Sequence, residues 1–378
     1  MSELNETFIA LIPKKNGSCN FNQFRPISLC NVCYKVISKI IVSRLRPLLS
    51  HMIDPAQVAF VPNRWIAENV VIAQEVVHSF KKTKKKKGFL GIKIDFQKAY
   101  DRMEWKFLSL TLKAFGFSNK FTNLIYQCLS TVQYSVLLNG GKCLSLTPTR
   151  GLRQGDPLSP YLFILGSEVL MRLISRKVDR GQLTAIKVSS RAPPISKLCY
   201  ADDVILFSKA KMFELSSLKI CLEKYCSWSG QKVNVEKSGF FPSKGVSQQF
   251  LNQIKARWGL NRLPPNTKYL GVPLFFTSSR CKDLQPVKER LENKLNGWKS
   301  KNLSLSGRAT LIKSVAQTIP AYHMSTIQFP KALCEQFDGV IRQFWWNPKS
   351  REGQYLTPMA WSSLCWPQKE GGLGVKKA

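Results

Sequence analysis

The tetrapeptide Tyr200-Ala201-Asp202-Asp203 constrains this chain more than any other stretch, because its flanks leave it few conformations. Ile195-Ser196-Lys197-Leu198-Cys199 precedes it and Val204-Ile205-Leu206-Phe207 follows it. Both flanks are short and rich in β-formers, so the pattern predicts strand, tight turn, strand. Two adjacent aspartates at such a turn repel each other and attract a divalent cation. Their hard oxygens suit Mg²⁺, which takes one or two protein carboxylates together with substrate phosphates. Alone, such a pair more often marks a solvated turn and nothing else.

A second carboxylate in the same setting changes that balance. Phe89-Leu90-Gly91-Ile92-Lys93-Ile94-Asp95 is an apolar strand pattern ending on an acid, and Trp105-Lys106-Phe107-Leu108 beyond it reads as a helix. An acid at the end of a central strand is costly unless it binds something. Two such strands side by side would bring Asp95 next to Asp202 and Asp203. That is a ligand set for two metals about 3.5–4 Å apart, which clamp the attacking and leaving oxygens of a phosphoryl transfer. A third block, Gly151-Leu152-Arg153-Gln154-Gly155-Asp156-Pro157-Leu158-Ser159-Pro160, reads as a loop entering a helix. Gly155 supplies backbone freedom, Asp156 caps the helix and Pro157 suits its first turn. Leu158 to Leu173 then carries an apolar face at helical spacing.

Asp95 with Tyr100 and Asp101, then Arg153 to Pro160, then Tyr200 to Asp203, resembles the palm of a reverse transcriptase of the non-LTR (LINE-type) retrotransposon class, its plant branch in particular. Further blocks carry the resemblance: Leu11-Ile12-Pro13-Lys14-Lys15, Phe24-Arg25-Pro26-Ile27-Ser28-Leu29, Gln57-Val58-Ala59-Phe60-Val61-Pro62, Asn234-Val235-Glu236-Lys237-Ser238 and Tyr269-Leu270-Gly271-Val272-Pro273-Leu274. Leu303 to Val315 resembles the family's thumb. Together the blocks span nearly the whole chain.

The resemblance implies an α+β, right-hand polymerase fold. It places fingers over residues 1–88 and a palm with an antiparallel sheet over 89–275, part of 130–150 packing with the fingers. A helical thumb follows over 276–345, and a truncated C-terminal extension over 346–378. The implied activity is RNA-directed DNA polymerisation by two-metal nucleotidyl transfer, with an RNA template, a DNA primer and dNTPs as partners and a nuclear site of action. Asp95, Asp202 and Asp203 would hold two Mg²⁺ ions, or Mn²⁺. Lys14, Lys15 and Arg25 would lie over the incoming triphosphate, where Arg suits bidentate phosphate contacts better than Lys. Tyr100 would sit beneath the sugar, Gln154 would border the nucleotide pocket, and Lys237 would act as general acid near pyrophosphate. Tyr200, Ala201, Arg153 and Gly155 complete the motifs, while Asp101 and Asp156 read as structural. By the same resemblance the chain is a core cut from a larger polyprotein. The alternatives are a decayed fragment that only binds nucleic acid, an intron maturase, and a viral RNA-dependent RNA polymerase. The thumb block argues against the maturase. Ala201 and Tyr100 argue against the viral enzyme, whose hairpin carries Gly-Asp-Asp.

Composition agrees independently. The 378 residues include 57 Lys+Arg against 23 Asp+Glu, a formal charge of +34, which expects a polyanion and salt-sensitive affinity. Aromatic side chains at 11% offer stacking surface for bases, although core packing claims most of them. Eleven cysteines are scattered, and Cys30-x-x-Cys33 is the one tight pair. With His51, His78 and His323 as the only histidines, a Cys/His zinc centre or a histidine-based hydrolase is disfavoured. The cysteines read as reduced, intracellular and mostly buried. Neither a signal-peptide core nor an apolar run of transmembrane length is present. The basic run Lys81 to Lys87 reads equally as a nucleic-acid contact, a nuclear localisation patch or a solvated loop.

Overall fold

The structure, a computed structural model, describes residues 3–82, 88–299, 303–346 and 356–377, so most of the basic run at 81–87 lies outside the described residues. The chain divides into two compact units, Met1–Pro264 and Pro265–Ala378.

The first unit holds two sheets. One contains β1 (Glu6–Pro13), β2 (Phe24–Cys30), β4 (Gln133–Leu138) and β5 (Gly141–Leu146), in the order β2-β1-β4-β5. Its β1–β2 pair is antiparallel with Ile12 opposite Arg25, and β4 joins β1 in parallel. The hairpin over residues 133–146 therefore belongs to the N-terminal sheet. The second sheet contains β3 (Phe89–Ile94), β6 (Lys197–Tyr200), β7 (Asp203–Lys209), β8 (Gly239–Pro242) and β9 (Asn261–Arg262), in the order β6-β7-β3-β8-β9. Along its first four strands each neighbouring pair is antiparallel, and β9 runs parallel to β8.

Alternation along β3 separates two environments. Leu90, Ile92 and Ile94 enter a core shared with Leu108 and Leu112 of α3 (Trp105–Ala114), Ile125 of α4 (Asn119–Ser130), Phe163 and Leu170 of α5 (Ser159–Asp179), and Leu215 and Leu218 of α6 (Met212–Ser229). The other face carries Phe89, Gly91 and Lys93. A Cβ on Gly91 would meet the Phe241 ring at 2.2 Å, so glycine is required for that ring to lie against the strand. Phe80, from α2 (Ile66–Lys82), packs against Phe89, Phe207 and Phe241, so this helix is part of the second sheet's packing.

Where tertiary packing overrides periodicity, the sequence reading shifts. The apolar-rich stretch after Asn31 forms α1 (Val32–Leu45), and a 3₁₀ turn carrying Pro47 follows it. Tyr34, Ile41 and Leu45 are buried, whereas Val36 and Ile40 are exposed although they too are apolar. Cys30 is buried on β2 while Cys33 is exposed on α1, so that pair does not face one point.

A buried polar knot ties α1 to the loop before α5. Arg153 and Asp156 form an ion pair of 3.0 Å with both side chains at most 2% exposed. The Tyr34 hydroxyl donates to Asp156 Oδ2 at 2.8 Å, and the Arg153 guanidinium lies 4.0 Å from the Tyr34 ring centroid. Asp156 Oδ1 also accepts the Leu158 amide, the capping contact expected from the sequence.

The second unit is mainly helical. Leu284, Leu291 and Leu295 of Arg280–Lys299 and Phe337, Ile341 and Phe344 of Lys331–Trp346 are buried in it. Ser304 caps Leu305–Leu311 through the Gly307 amide, and Arg308 donates to the carbonyl of Trp345 at 2.7 Å. The Leu303–Arg308 block thus includes a cap and a helix-to-helix tie.

Removing one partner of a buried ion pair leaves an uncompensated charge. Asp156→Ala is expected to destabilise the protein by about 3–5 kcal/mol, measured as a lowered urea midpoint. A change below about 1 kcal/mol would show that Arg153 finds water or another acceptor.

Candidate active site

Asp95 stands one residue past β3, whose last register pair with β7 is Ile94 opposite Val204. Continuing that antiparallel register sets Asp95 across from Asp203. The β6–β7 turn consists of Ala201 and Asp202, with Tyr200 paired to Asp203. Strand pairing thus brings the three aspartates to one end of the sheet, as the two-strand reading expected. Around Asp95 the backbone is fully tied: its amide donates to Ser238 Oγ at 3.0 Å, and its carbonyl accepts the Asn234 amide at 2.8 Å.

The hairpin turn is strained and clamped. Ala201 adopts φ +53°, a left-handed conformation disfavoured by its Cβ. Its amide donates to Gln57 Oε1 at 3.0 Å, and the Ala59 amide donates to the same oxygen. Gln57 is 1% exposed, and its backbone pairs with Cys199 on β6. Sequence reading included Gln57 in a family block without giving it this role. Strain held by a specific clamp beside a carboxylate is the pattern of a functional turn.

A cleft of about 1280 Å³ opens beside the hairpin. It is lined by Asp95 and Asp202, by Lys14 and Arg25 from the β1–β2 hairpin, and by Tyr100, Arg153, Gln154, Gly155 and Lys237. Nine of the thirteen predicted site residues thus meet in one cavity. Asp203, Tyr200 and Ala201 belong to the adjoining hairpin and, like Lys15, are not among its lining residues. Lys14 is steadied by donating to the Asn22 carbonyl at 2.8 Å. The Tyr100 ring stacks on Phe163 at 4.8 Å with 4° between planes, which fixes it as a flat floor. Gln154 hydrogen-bonds the Asp101 side chain, and its carbonyl accepts the Ser28 amide of β2 at 2.7 Å. At Gly155, φ is +113° and a Cβ would lie 2.8 Å from the Ser28 carbonyl oxygen. That close approach gives the expected need for a glycine its physical cause. A second cavity, about 570 Å³, is lined by Phe107, Leu110, Phe115, Val169 and Trp228 among others and gathers no comparable set of charges.

The electrostatics of the cleft oppose its own carboxylates. Burial pushes the Asp95 carboxyl above the ordinary aspartate range, with Lys237 and then Lys93 pulling it back. Asp202, though open to the cleft, is also raised, first by the low-dielectric walls and further by Asp203 and Asp95. Lys93, which sequence reading treated as part of an apolar strand, donates to Asp203 Oδ1 at 2.6 Å. Among the described residues no three His, Cys, Asp or Glu side chains close on a common point. Two cleft-facing carboxylates nevertheless fit Mg²⁺, which needs only one or two from the protein when phosphates supply the rest.

Residues 12–274 match the family Reverse transcriptase (RNA-dependent DNA polymerase). The chain belongs to the reverse transcriptase family. The chain is 29% identical over 372 residues to the Transposon TX1 149 kDa protein of Xenopus laevis, covering 97% of this chain and 27% of that one. It is 27% identical over 294 residues to the Pol polyprotein of the type-2 retrotransposable element R2DM of Drosophila melanogaster, covering 74% and 26%. Over 67 residues it is 54% identical to a mitochondrial protein of Arabidopsis thaliana, covering 18% and 55%. Telomerase from Candida tropicalis, solved in complex with a fragment of telomeric RNA, is similar at a TM-score of 0.49 and 14% identity, covering 90% and 54%. The chain spans about a quarter of the length of the first two relatives. Its fold is the α+β polymerase type that the sequence implies.

The raised carboxyls have a stability consequence. Their ionised forms are disfavoured by folding, so the stability they contribute when protonated is present below the unfolded value and lost as pH rises through the folded one. Asp202→Asn keeps the shape and removes the charge. It is expected to raise the melting temperature in chelator at pH 7 by a few degrees, with the gain vanishing below about pH 4. Calorimetry at both pH values is the check, and an unchanged or lower Tm at pH 7 counts against the reading.

Proposed function

We propose that this chain is the RNA-directed DNA polymerase core of a non-LTR, LINE-type retrotransposon of the plant branch, copying an RNA template from a DNA primer with dNTPs. The observation that carries this is the single cleft in which two strand-end aspartates meet a stacked tyrosine floor and a rim of Lys14, Arg25, Gln154 and Lys237. The 54% identity to an Arabidopsis thaliana segment supports the plant assignment. On this reading the sheet β2-β1-β4-β5 belongs to the fingers, the sheet β6-β7-β3-β8-β9 to the palm, and residues 276–345 of the second unit to the thumb. A nuclear site of action follows from the retrotransposon assignment. Among the described residues no helix is long and apolar enough to cross a membrane.

In the reaction a primer 3′-oxygen bonds to the α-phosphorus of a dNTP and the α–β bridging bond breaks, releasing pyrophosphate. Asp95 and Asp202, with Asp203 beside them, would hold divalent metal, Mg²⁺ or Mn²⁺, which when bound activates the 3′-hydroxyl and neutralises the developing phosphate charge. The remaining work falls to the chain's own groups. Arg25 and Lys14 on the β1–β2 hairpin orient the triphosphate by charge, and Arg25 adds a planar fork for its oxygens. Tyr100, held flat by Phe163, supports the sugar, and Gln154, held by Asp101, borders the base-pair pocket. Lys237, close enough to Asp95 to be the main charge favouring its ionised form, donates a proton to the departing pyrophosphate. Positioning and charge neutralisation supply most of the acceleration.

Asp95→Asn and Asp202→Asn are each expected to abolish primer extension while leaving template–primer affinity nearly intact, since each removes a ligand charge and few packing contacts. Extension within tenfold of wild type in either variant removes the metal-ligand assignment.

The Tyr100 ring leaves no room for a ribose 2′-hydroxyl above it, so a ribonucleotide must shift out of attack geometry. Tyr100→Ala is expected to raise rNTP over dNTP incorporation by about one to two orders of magnitude. Loss of both activities in proportion, with a lowered Tm, would show the ring to be a packing residue.

A further inference from the structure

Lys93 is a cation inside a strand whose neighbours are Ile92 and Ile94, and it is 9% exposed. Strand alternation places it on the face of β3 that carries Gly91 on one side and Asp95 on the other. Along that face the sheet changes character in two steps. Gly91 stands opposite Phe207 and Phe241, Lys93 opposite Ile205, and the continued register brings Asp95 to Asp203. The lysine therefore occupies the boundary between an aromatic cluster and a carboxylate cluster. Its stem has apolar neighbours by register, and its ammonium reaches Asp203 Oδ1 at 2.6 Å.

A buried ammonium is costly unless paired, and crowded aspartates resist common ionisation unless a cation opposes them. Here each answers the other. Lys93 also favours the ionised forms of Asp95 and Asp202. Lys237 acts on Asp95 as well, but it is exposed and its amide, not its ammonium, is the anchored group. Lys93 is the cation fixed by burial and by a direct partner.

We propose that Lys93 is a resident counter-cation of the carboxylate cluster. It holds Asp203 in place, offsets one aspartate charge, and sets the nucleotide-free site to bind divalent metal weakly. Tight loading then requires the extra negative charge of the triphosphate. Lys93 is a positioning residue that occupies Asp203 in the nucleotide-free site, and the inference rests on the assignment of Asp95 and Asp202 as the metal ligands there.

The experiment is Mn²⁺ binding to nucleotide-free protein, read as free-ion electron paramagnetic resonance. Lys93→Met is expected to tighten Mn²⁺ binding by roughly tenfold, because a charge a few ångströms away is removed at low effective dielectric. Lys93→Arg, which keeps the charge, is expected to stay within about threefold of wild type. Unchanged or weaker binding by Lys93→Met overturns the proposal. The paired variant Lys93→Met/Asp203→Asn guards against misfolding, since replacing both members of a buried ion pair is often neutral for stability. It leaves the net charge of the cluster as it was, so its Mn²⁺ affinity is expected within about threefold of wild type. A loss of tenfold or more would mean that Asp203 itself binds metal with Lys93 displaced, and would overturn the proposal. Asp95→Asn tests the underlying assignment separately. If it leaves Mn²⁺ binding unchanged, the metal-site reading fails whatever Lys93 does.

Discussion

The antiparallel register of β3 against β7 is the constraint on which this molecule depends. With Ile94 opposite Val204, the strand-end Asp95 and the turn aspartates reach the same end of the sheet. A slip of one residue would turn Asp95 and Lys93 toward the helices and bring Ile92 and Ile94 out of the core. Gly91 under the Phe241 ring helps to hold the register, since no other position on β3 lacks a Cβ to make way for that ring. The core on one face and the aromatic cluster on the other therefore serve the same end: both penalise the slip that would scatter the charges.

A second constraint joins the two sheets of the first unit. The loop before α5 is held to α1 by the Arg153–Asp156–Tyr34 knot and to β2 by the Ser28–Gln154 backbone bond across Gly155. Gln154 thus faces the cleft from a position fixed by the N-terminal sheet and by Asp101, while the second sheet fixes the aspartates and Phe163 of α5 fixes Tyr100. The cleft is the space between braced elements, which is how a site combines precision with room for a ligand.

Much of this was legible in the sequence because the informative patterns are local. The strand-turn-strand at Tyr200–Asp203, the acid ending β3, and the glycine and caps of the loop before α5 are each set by neighbours a few residues apart. What escaped notice is set by distant ones. Tyr34 meets Asp156 across 122 positions, and Gln57 meets Ala201 across 144. No periodicity announces such pairs. Lys93 escaped for a different reason: in a run of apolar residues a single lysine reads as noise, and its partner becomes visible only once the register is known. In α1 the sequence carries more apolar residues than one face can bury, so packing alone decides that Tyr34 and Ile41 go in while Val36 and Ile40 stay out.

The strand leading into the turn, β6, is the outermost of its sheet, and an outermost strand ordinarily offers a row of free backbone groups to any passing chain. Here the outward groups of Cys199, in the middle of the strand, are occupied. The Cys199 amide donates to the Ala56 carbonyl, and the Cys199 carbonyl accepts from Val58 and from the Asn69 side chain. The segment around residues 56–69 is in effect a selvage sewn along the sheet's raw border. It lets a β-rich, apolar hairpin stand at the rim of an open cleft without becoming a seed for aggregation during synthesis and folding.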